Sequence, residues 1–143
     1  MSLINGTFNC QTRQLILPCN VCISGAVKTL RHPDVEKIVT KSCGALVDTG
    51  ATHTCISEDL VQELALESYS MVPIVTAAGV TETKSYKIDL LLDFEGHHAP
   101  IENLTVNSIP TTKHQEWHIL LGMDVILQGH LSISRGGLFA FAI

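Results

Sequence analysis

Apolar and polar positions alternate along most of this chain, and the period is that of β-strands rather than helices. Residues 15 to 27 are apolar and β-rich, and a second run from Lys37 to Val47 leads straight into Asp48. Between them, "KTLRHPDVE" (28–36) reads as a surface connection. After Gly50, "THTCI" is strand-like again, and then the period changes. Ser57 can cap a helix opening at Glu58, with Glu58 and Asp59 suitably acidic in the first turn. Leu60, Val61, Leu64 and Ala65 would make the apolar face of that short helix. Farther on, Tyr86, Ile88, Leu90, Leu92 and Phe94 alternate with Lys87, Asp89 and Asp93, which predicts a long half-buried strand. Its expected partner is residues 72 to 76. Ala77, Ala78 and Gly79 fall at the turn between them, where small side chains and a glycine predict a mobile hairpin tip. Residues 101 to 107 supply another strand. "HILLG" is an apolar strand stopped by Gly122, "MDVILQG" a single short helix, and "LSISRGGLFAFAI" a hairpin turning at Arg135, Gly136 and Gly137. The class is mostly β with two short helices.

Composition narrows the function. At 143 residues the chain fits one domain (1–143) with a real core, and residues 1–14 are expected to be a peripheral N-terminal extension. Hydrophobic residues make up 45% and charged residues 16%, which excludes a disordered tail. A formal charge of −5, with nine scattered Lys and Arg, gives no basic face for nucleic acid or an anionic membrane. No apolar stretch approaches the length that crosses a bilayer. "MSLINGTFNCQTRQ" has neither the charged nor the apolar region of a signal peptide, so the expected location is cytoplasmic.

Five cysteines at 10, 19, 22, 43 and 55 make an odd, irregular set that suits a reducing compartment better than a disulfide framework. Cys19 and Cys22 form a C-x-x-C, but the chain has no second pair and no helix pattern accompanies it. Within a strand, positions three apart also point to opposite faces, so small core residues are the simpler reading. His114 and His118 have helical i, i+4 spacing, yet "TTKHQEWH" lacks apolar periodicity and reads as a loop. No metal site and no cofactor are expected.

The stretch "GALVDTGATHTCIS" (44–57) is different in kind: an apolar run climbs to one carboxylate, Asp48, and breaks at once into Thr49 and Gly50. A phosphoryl-accepting aspartate would want a second acid two residues on, where glycine stands. A triad member would want a marked nucleophile, and no G-x-S-x-G occurs. A metal ligand would want neighbours at ligand spacing. One mechanism needs the tripeptide itself. Two carboxylates share a proton and hold a water, one acting as general base on it and the other as acid toward a peptide carbonyl. Glycine permits the close approach and the threonine hydroxyl can reach across. The chain carries one such turn, and a two-fold homodimer would supply the second. The plain alternative is a surface turn in which Asp and Gly do ordinary turn chemistry.

At these residues the sequence resembles the retroviral-type aspartic proteases, or retropepsins. Asp48-Thr49-Gly50-Ala51 looks like their signature, and "ILLGMDVI" matches their downstream apolar-apolar-glycine leading into a short helix. The resemblance implies a single-domain, closed β-barrel with a flap hairpin and one or two short helices. It implies that Asp48, Thr49 and Gly50 are catalytic: Asp48 as half of a dyad, Thr49 bracing it across the dimer, Gly50 offering its backbone to substrate. Ala51, Thr52, His53 and Cys55 would line the cleft, with Leu120 as a pocket wall and Ala77, Ala78 and Gly79 as the flap. Core packing is the alternative for Cys55 and Leu120, and Trp117 either edges the pocket or is simply buried. The implied activity is that of an aspartic endopeptidase, a homodimer acting on peptide or protein substrates.

The sequence departs from the viral pattern in three places, one of them the flap, which lacks the several glycines of viral flaps. In the viral enzymes an acidic residue after the D-T-G-A pairs with an arginine just past the downstream glycine; here Thr52 and Met123 or Asp124 stand instead. A Thr52 hydroxyl to Asp124 hydrogen bond is the expected substitute. The closing hairpin is also longer than a short interface strand, which suits a cellular or bacterial member better than a viral one. A retropepsin-fold module that binds peptides without cutting is the competing function. A metal or redox protein built on Cys19, Cys22 and the histidines is the third.

Overall fold

The structure is a computed structural model that describes residues 2–31, 33, 38–112 and 115–143. Ten strands occur among these residues: β1 (Leu3–Thr7), β2 (Ile16–Ile23), β3 (Thr40–Val47), β4 (Cys55–Ser57), β5 (Ser70–Thr76), β6 (Gly79–Phe94), β7 (His97–Ile109), β8 (Ile119–Leu121), β9 (His130–Ile133) and β10 (Leu138–Ala142). Three short helices join them: α1 (Gly25–Arg31), α2 (Glu58–Glu63) and α3 (Met123–Ile126). The expected strand start at Lys37 lies outside the described residues, and so does His114.

Strands β2, β3, β8, β4, β7 and β6 pair in that order, and β6 pairs back onto β2, so the sheet closes into a barrel. Closure leaves the barrel without an edge and gives every strand one inward row. Leu17, Val21, Ile56, Ile88, Leu90, Leu92, Val106, Ile119 and Leu121 fill the interior and are fully or almost fully buried. The alternation read from residues 86 to 94 is this inward row. A bulge bends the long β6–β7 pair: Ile88 lies opposite Leu104 and Leu90 opposite Ile101, so Asn103 is the extra residue, at φ +52°. Asp89 holds it there, accepting the Asn103 N–H at 2.7 Å on one oxygen and the Gly25 N–H of α1 at 3.0 Å on the other. Such a bulge sharpens the bend a closed barrel needs.

Two findings revise the expected pairing. Residues 72 to 76 pair not with 86–94 but with the first part of β6, Val75 opposite Val80 and Ser70 opposite Ser85. The loop is only Ala77-Ala78, so β5 folds back on the nearest residues and stands outside the barrel as a hairpin. The segment 28–36, read as a connection, contributes most of α1. That helix buries none of its residues, and Leu30 is exposed, so no apolar stripe marked it in the sequence.

The segment 1–14, expected at the periphery, supplies β1, whose Ile4 is fully buried. β1 pairs with β10, and β10 with β9, in a separate three-stranded sheet. Its inner face sets Ile4, Phe139 and Phe141 against the barrel, with Phe94 and Phe139 edge-to-face at 5.2 Å.

Helix α2 matches expectation at its start. Ser57 is extended, fully buried, and its hydroxyl accepts the Leu60 N–H at 3.2 Å. The same hydroxyl lies 2.7 Å from His118 Nδ1, which fixes the loop entering β8. Leu60, Val61 and Leu64 are buried as expected; Ala65 is exposed at φ +51°, because the helix has already ended. No helix among the described residues is long and apolar enough to cross a membrane.

Replacing Ser57 by Ala removes both the cap and the His118 partner. The expected cost is about 2 kcal/mol. Urea unfolding should show a lower midpoint with unchanged slope; an unchanged midpoint would contradict the dual role.

Candidate active site

Strand β3 delivers Asp48, and the chain then turns back through Thr49, Gly50 and Ala51 toward β4. What fixes the turn is the slot that β8 occupies. β8 lies between β3, to which it is parallel, and β4, to which it is antiparallel. The chain therefore leaves the barrel at Asp48, re-enters at Cys55, and finds the end of β8 wedged between exit and entry. The Leu121 carbonyl accepts the Asp48 N–H at 2.9 Å, and the Ala51 carbonyl accepts the Met123 N–H at 2.7 Å.

Gly122 is a consequence of this wedge. A Cβ there would come within 2.6 Å of the His53 carbonyl carbon, 2.7 Å of its oxygen and 3.0 Å of the Ala51 oxygen. All three are backbone atoms, so no side-chain shift relieves the clash. Beside it, Thr54 is fully buried and its hydroxyl works twice. It donates to Asp124 Oδ1 at 2.7 Å and accepts the Gly122 N–H at 3.1 Å. Asp124 Oδ2 accepts the Thr54 N–H at 3.0 Å, and Oδ1 also accepts the Val125 N–H at 2.9 Å. Thus α3 is stapled to the segment after the aspartate turn.

The expected bond between the Thr52 hydroxyl and Asp124 is not the one that forms. Thr52 is exposed and gives its backbone carbonyl to the Asp124 N–H at 3.3 Å, while Thr54 supplies the hydroxyl. The reason is strand parity. Thr54 and Ile56 share the inward row, and Thr52 stands in the exposed part of the loop. The alternation in "THTCIS" carried that signal.

Asp48 itself is half-buried, and Thr49 and Gly50 are exposed. Asp48 Oδ1 accepts the Gly50 N–H at 2.8 Å; Oδ2 and the Thr49 hydroxyl have no hydrogen-bond partner among the described residues. A Cβ on Gly50 would sit 3.2 Å from Oδ1 and crowd that carboxylate. Cys55 lies opposite Leu120 across β4 and β8, both half-buried. Burial first, then the charges of Asp124 and Asp48, push the Cys55 thiol up to about 11, so it is neutral at pH 7. His53 is exposed and its carbonyl accepts from the Cys55 thiol at 3.6 Å.

Beside the turn is a hollow of about 330 Å³ lined by His53, Asp124, Val72 and Pro73 of β5, and Leu104, Thr105 and Asn107 of β7. Of these the sequence singles out His53 and Asp124; the others are on elements that the fold, not the motif, brings there. Ala77, Ala78 and Gly79 form the hairpin tip, exposed, with open space around Gly79. The Thr76 hydroxyl ties the tip by donating to the Gly79 carbonyl at 2.9 Å. A larger hollow of about 430 Å³, between α2 and the β5–β6 hairpin, contains none of the residues of the aspartate turn. Trp117 is half-buried on the approach to β8 and lines neither.

Among the described residues no three His, Cys, Asp or Glu side chains converge as metal ligands. Cys19 and Cys22 do not act together: Cys19 is buried, whereas Cys22 is half-buried with its thiol raised by burial and by Asp89.

Two substitutions test the staple. Thr54→Val should cost about 3 kcal/mol, because it strands the Gly122 N–H and shortens the set of donors to Asp124. Gly122→Ala should cost a similar amount, about 3 kcal/mol, by overpacking against backbone. Thr54→Ser keeps the hydroxyl and should stay within about 1 kcal/mol of wild type. Denaturant unfolding checks all three, and equal stability of the Val and Ser variants would contradict the network.

Comparison with known proteins agrees with the geometry. A family model described as "gag-polyprotein putative aspartyl protease" matches residues 37–128, the stretch that holds the aspartate turn, the hairpin and Gly122. Among solved structures, the chain is similar to a retropepsin-like aspartic protease from Rickettsia conorii, with a TM-score of 0.59 and 14% identity over 97% of this chain and 89% of that one. The retroviral protease-like domain of Ddi1 from Leishmania major aligns with a TM-score of 0.46 and 15% identity, over 85% of this chain and 82% of that one. At such identities a structural likeness speaks for fold alone. No curated protein matches the chain in sequence. With the family match spanning well over half of its length, the chain belongs to the gag-polyprotein aspartyl protease family and has the retropepsin-like fold.

Proposed function

We propose that the protein is an aspartic endopeptidase that works as a homodimer, with Asp48 from each chain forming the catalytic pair. The observation that carries this reading is the state of Asp48 in one chain. A pinned turn offers a carboxylate with one oxygen held by Gly50 and the other, like the Thr49 hydroxyl beside it, without a hydrogen-bond partner among the described residues. A turn of that kind is half of something. A second copy related by a two-fold axis brings a second carboxylate and a second threonine to the same place.

In the dimer, two carboxyl groups at close range cannot both ionise, so the pair holds one proton between pH values set by both groups together. The ionised partner takes a proton from a water held between them, and that water attacks the peptide carbonyl carbon. The protonated partner gives its proton to the carbonyl oxygen. Collapse of the tetrahedral intermediate then returns a proton to the departing amine. No covalent enzyme intermediate forms. Ala77, Ala78 and Gly79 close over an extended peptide, whose side chains meet Ala51, Thr52, His53, Cys55 and Leu120 and the hollow beneath β5. The β1–β10–β9 sheet pairs its central strand β10 on both sides within one chain, so a partner could add a strand only at an outer edge. β9 leaves an unpaired outer edge just after α3, with Leu127 74% exposed and Ile133 50% exposed nearby, and we place the two-fold axis beside that edge.

Asp48→Asn is isosteric and keeps the Gly50 hydrogen bond, so the dimer should persist while cleavage falls by at least about a thousandfold. The assay is hydrolysis of denatured casein or a peptide library between pH 3 and 7, with sedimentation to count chains. Wild-type rates should fall on both sides of an acidic-to-neutral optimum. Full activity in Asp48→Asn would end the proposal. A folded wild-type dimer that binds but never cuts peptides would instead make this a binding module.

A further inference from the structure

The endopeptidase reading makes no use of a second constellation, midway along the strand that leads to Asp48. Cys19 on β2 and Cys43 on β3 stand directly opposite each other in the antiparallel pair, with their sulfurs 3.5 Å apart. Both are thiols, as are the other three cysteines. Opposed residues on antiparallel strands have Cα atoms about 4.5–5.5 Å apart. A disulfide accepts about 4.4–6.8 Å. Closing a bond here therefore asks for side-chain rotation, not for a shift of the strands.

The two sulfurs are also unequal. Cys19 is buried in the barrel and Cys43 half-buried at its wall, so only Cys43 meets solvent. The hydrogen bond between the two sulfurs, in which either can donate, holds the Cys43 thiol below its ordinary range although burial and Glu63 oppose this. The same hydrogen bond, with burial, pushes Cys19 up. Elsewhere burial raises Cys22 and Cys55, and neither has a thiol against it. An attacking sulfur at the surface with a resolving sulfur behind it is the arrangement of a peroxide-responsive dithiol.

We propose that Cys43 and Cys19 form a redox site, in which a hydroperoxide converts the pair to an intrachain disulfide between β2 and β3. The Cys43 thiolate attacks one peroxide oxygen, the O–O bond breaks, and the departing oxygen leaves protonated, as water from hydrogen peroxide. Cys43 is then a sulfenic acid. The Cys19 sulfur attacks the Cys43 sulfur, the S–O bond breaks, and the hydroxide leaves as water with the Cys19 proton. Two thiols lose two electrons and two protons in all, and hydrogen peroxide becomes two waters. The new bond encloses residues 20–42, including α1, and so restricts the unfolded chain more than the folded one.

The full chain treated with a small excess of hydrogen peroxide, then alkylated under denaturing conditions and mapped by mass spectrometry, tests this. Expected are two thiols lost, one cross-linked peptide pair joining Cys19 to Cys43, reversal by dithiothreitol, and a higher thermal unfolding midpoint for the oxidised form. Cys19→Ser should stop at a dimedone-reactive sulfenic acid on Cys43, and Cys43→Ser should leave Cys19 a thiol. Should wild type keep both thiols, carry Cys43 straight to the sulfinic acid, or pair either cysteine with Cys10, Cys22 or Cys55, the proposal is overturned. Casein hydrolysis plays no part in this readout, so it stands or falls separately from the endopeptidase reading.

Discussion

The wedge of β8 between β3 and β4 is the constraint on which the rest depends. There the chain leaves the barrel at Asp48 and returns at Cys55, and the contacts around the site hold that opening in shape. Gly122 lets backbone meet backbone where a methyl group would collide with His53 and Ala51. Thr54 and Asp124 lock the two sides with bonds to a charged acceptor, which are stronger than neutral ones and are mostly shielded from water. Asp48 closes its own turn by accepting the Gly50 N–H, and Leu121, Gly122 and Asp124, far downstream in the chain, fasten that turn and the segment after it.

The same constraint separates rigid parts from yielding ones. The turn is fastened on three sides, to Leu121, to Gly122 and to α3, whereas β5 and the start of β6 stand outside the closed ring, and among the described residues the side chain that ties their tip is Thr76. If the proposed function holds, a fixed turn and a lightly held hairpin give the division of labour that peptide hydrolysis asks for: precision where protons would move, freedom where a chain would enter. The hollow between them is roofed by Val72 and Pro73 and walled by His53, Asp124 and β7. Its residues come from four separate stretches of sequence.

That dispersal explains how much of the molecule was legible in its sequence. Local signals were clear. The Ser57 cap, the inward row from Tyr86 to Leu92, the hairpin at Arg135 to Gly137 and the aspartate turn each arise from residues a few positions apart. The closed barrel and the weight given to Gly122 came through family resemblance, since no pattern in one chain encodes a parallel slot. The failures have physical reasons. Helix α1 packs no apolar face, so it had no period to see. Thr54 rather than Thr52 meets Asp124 because strand parity, not distance from the motif, decides which side chain points inward. The pairing of Cys43 with Cys19 exists only once β2 and β3 are in register, so no local stretch of sequence shows it.

The central claim is that one chain holds half of a catalytic pair, and mixing is its most direct measure. Wild type and Asp48→Asn chains, allowed to exchange subunits freely at fixed total concentration, should lose peptide hydrolysis as the square of the wild-type fraction. A strictly linear loss would mean that each chain works alone, and the shared site would be excluded.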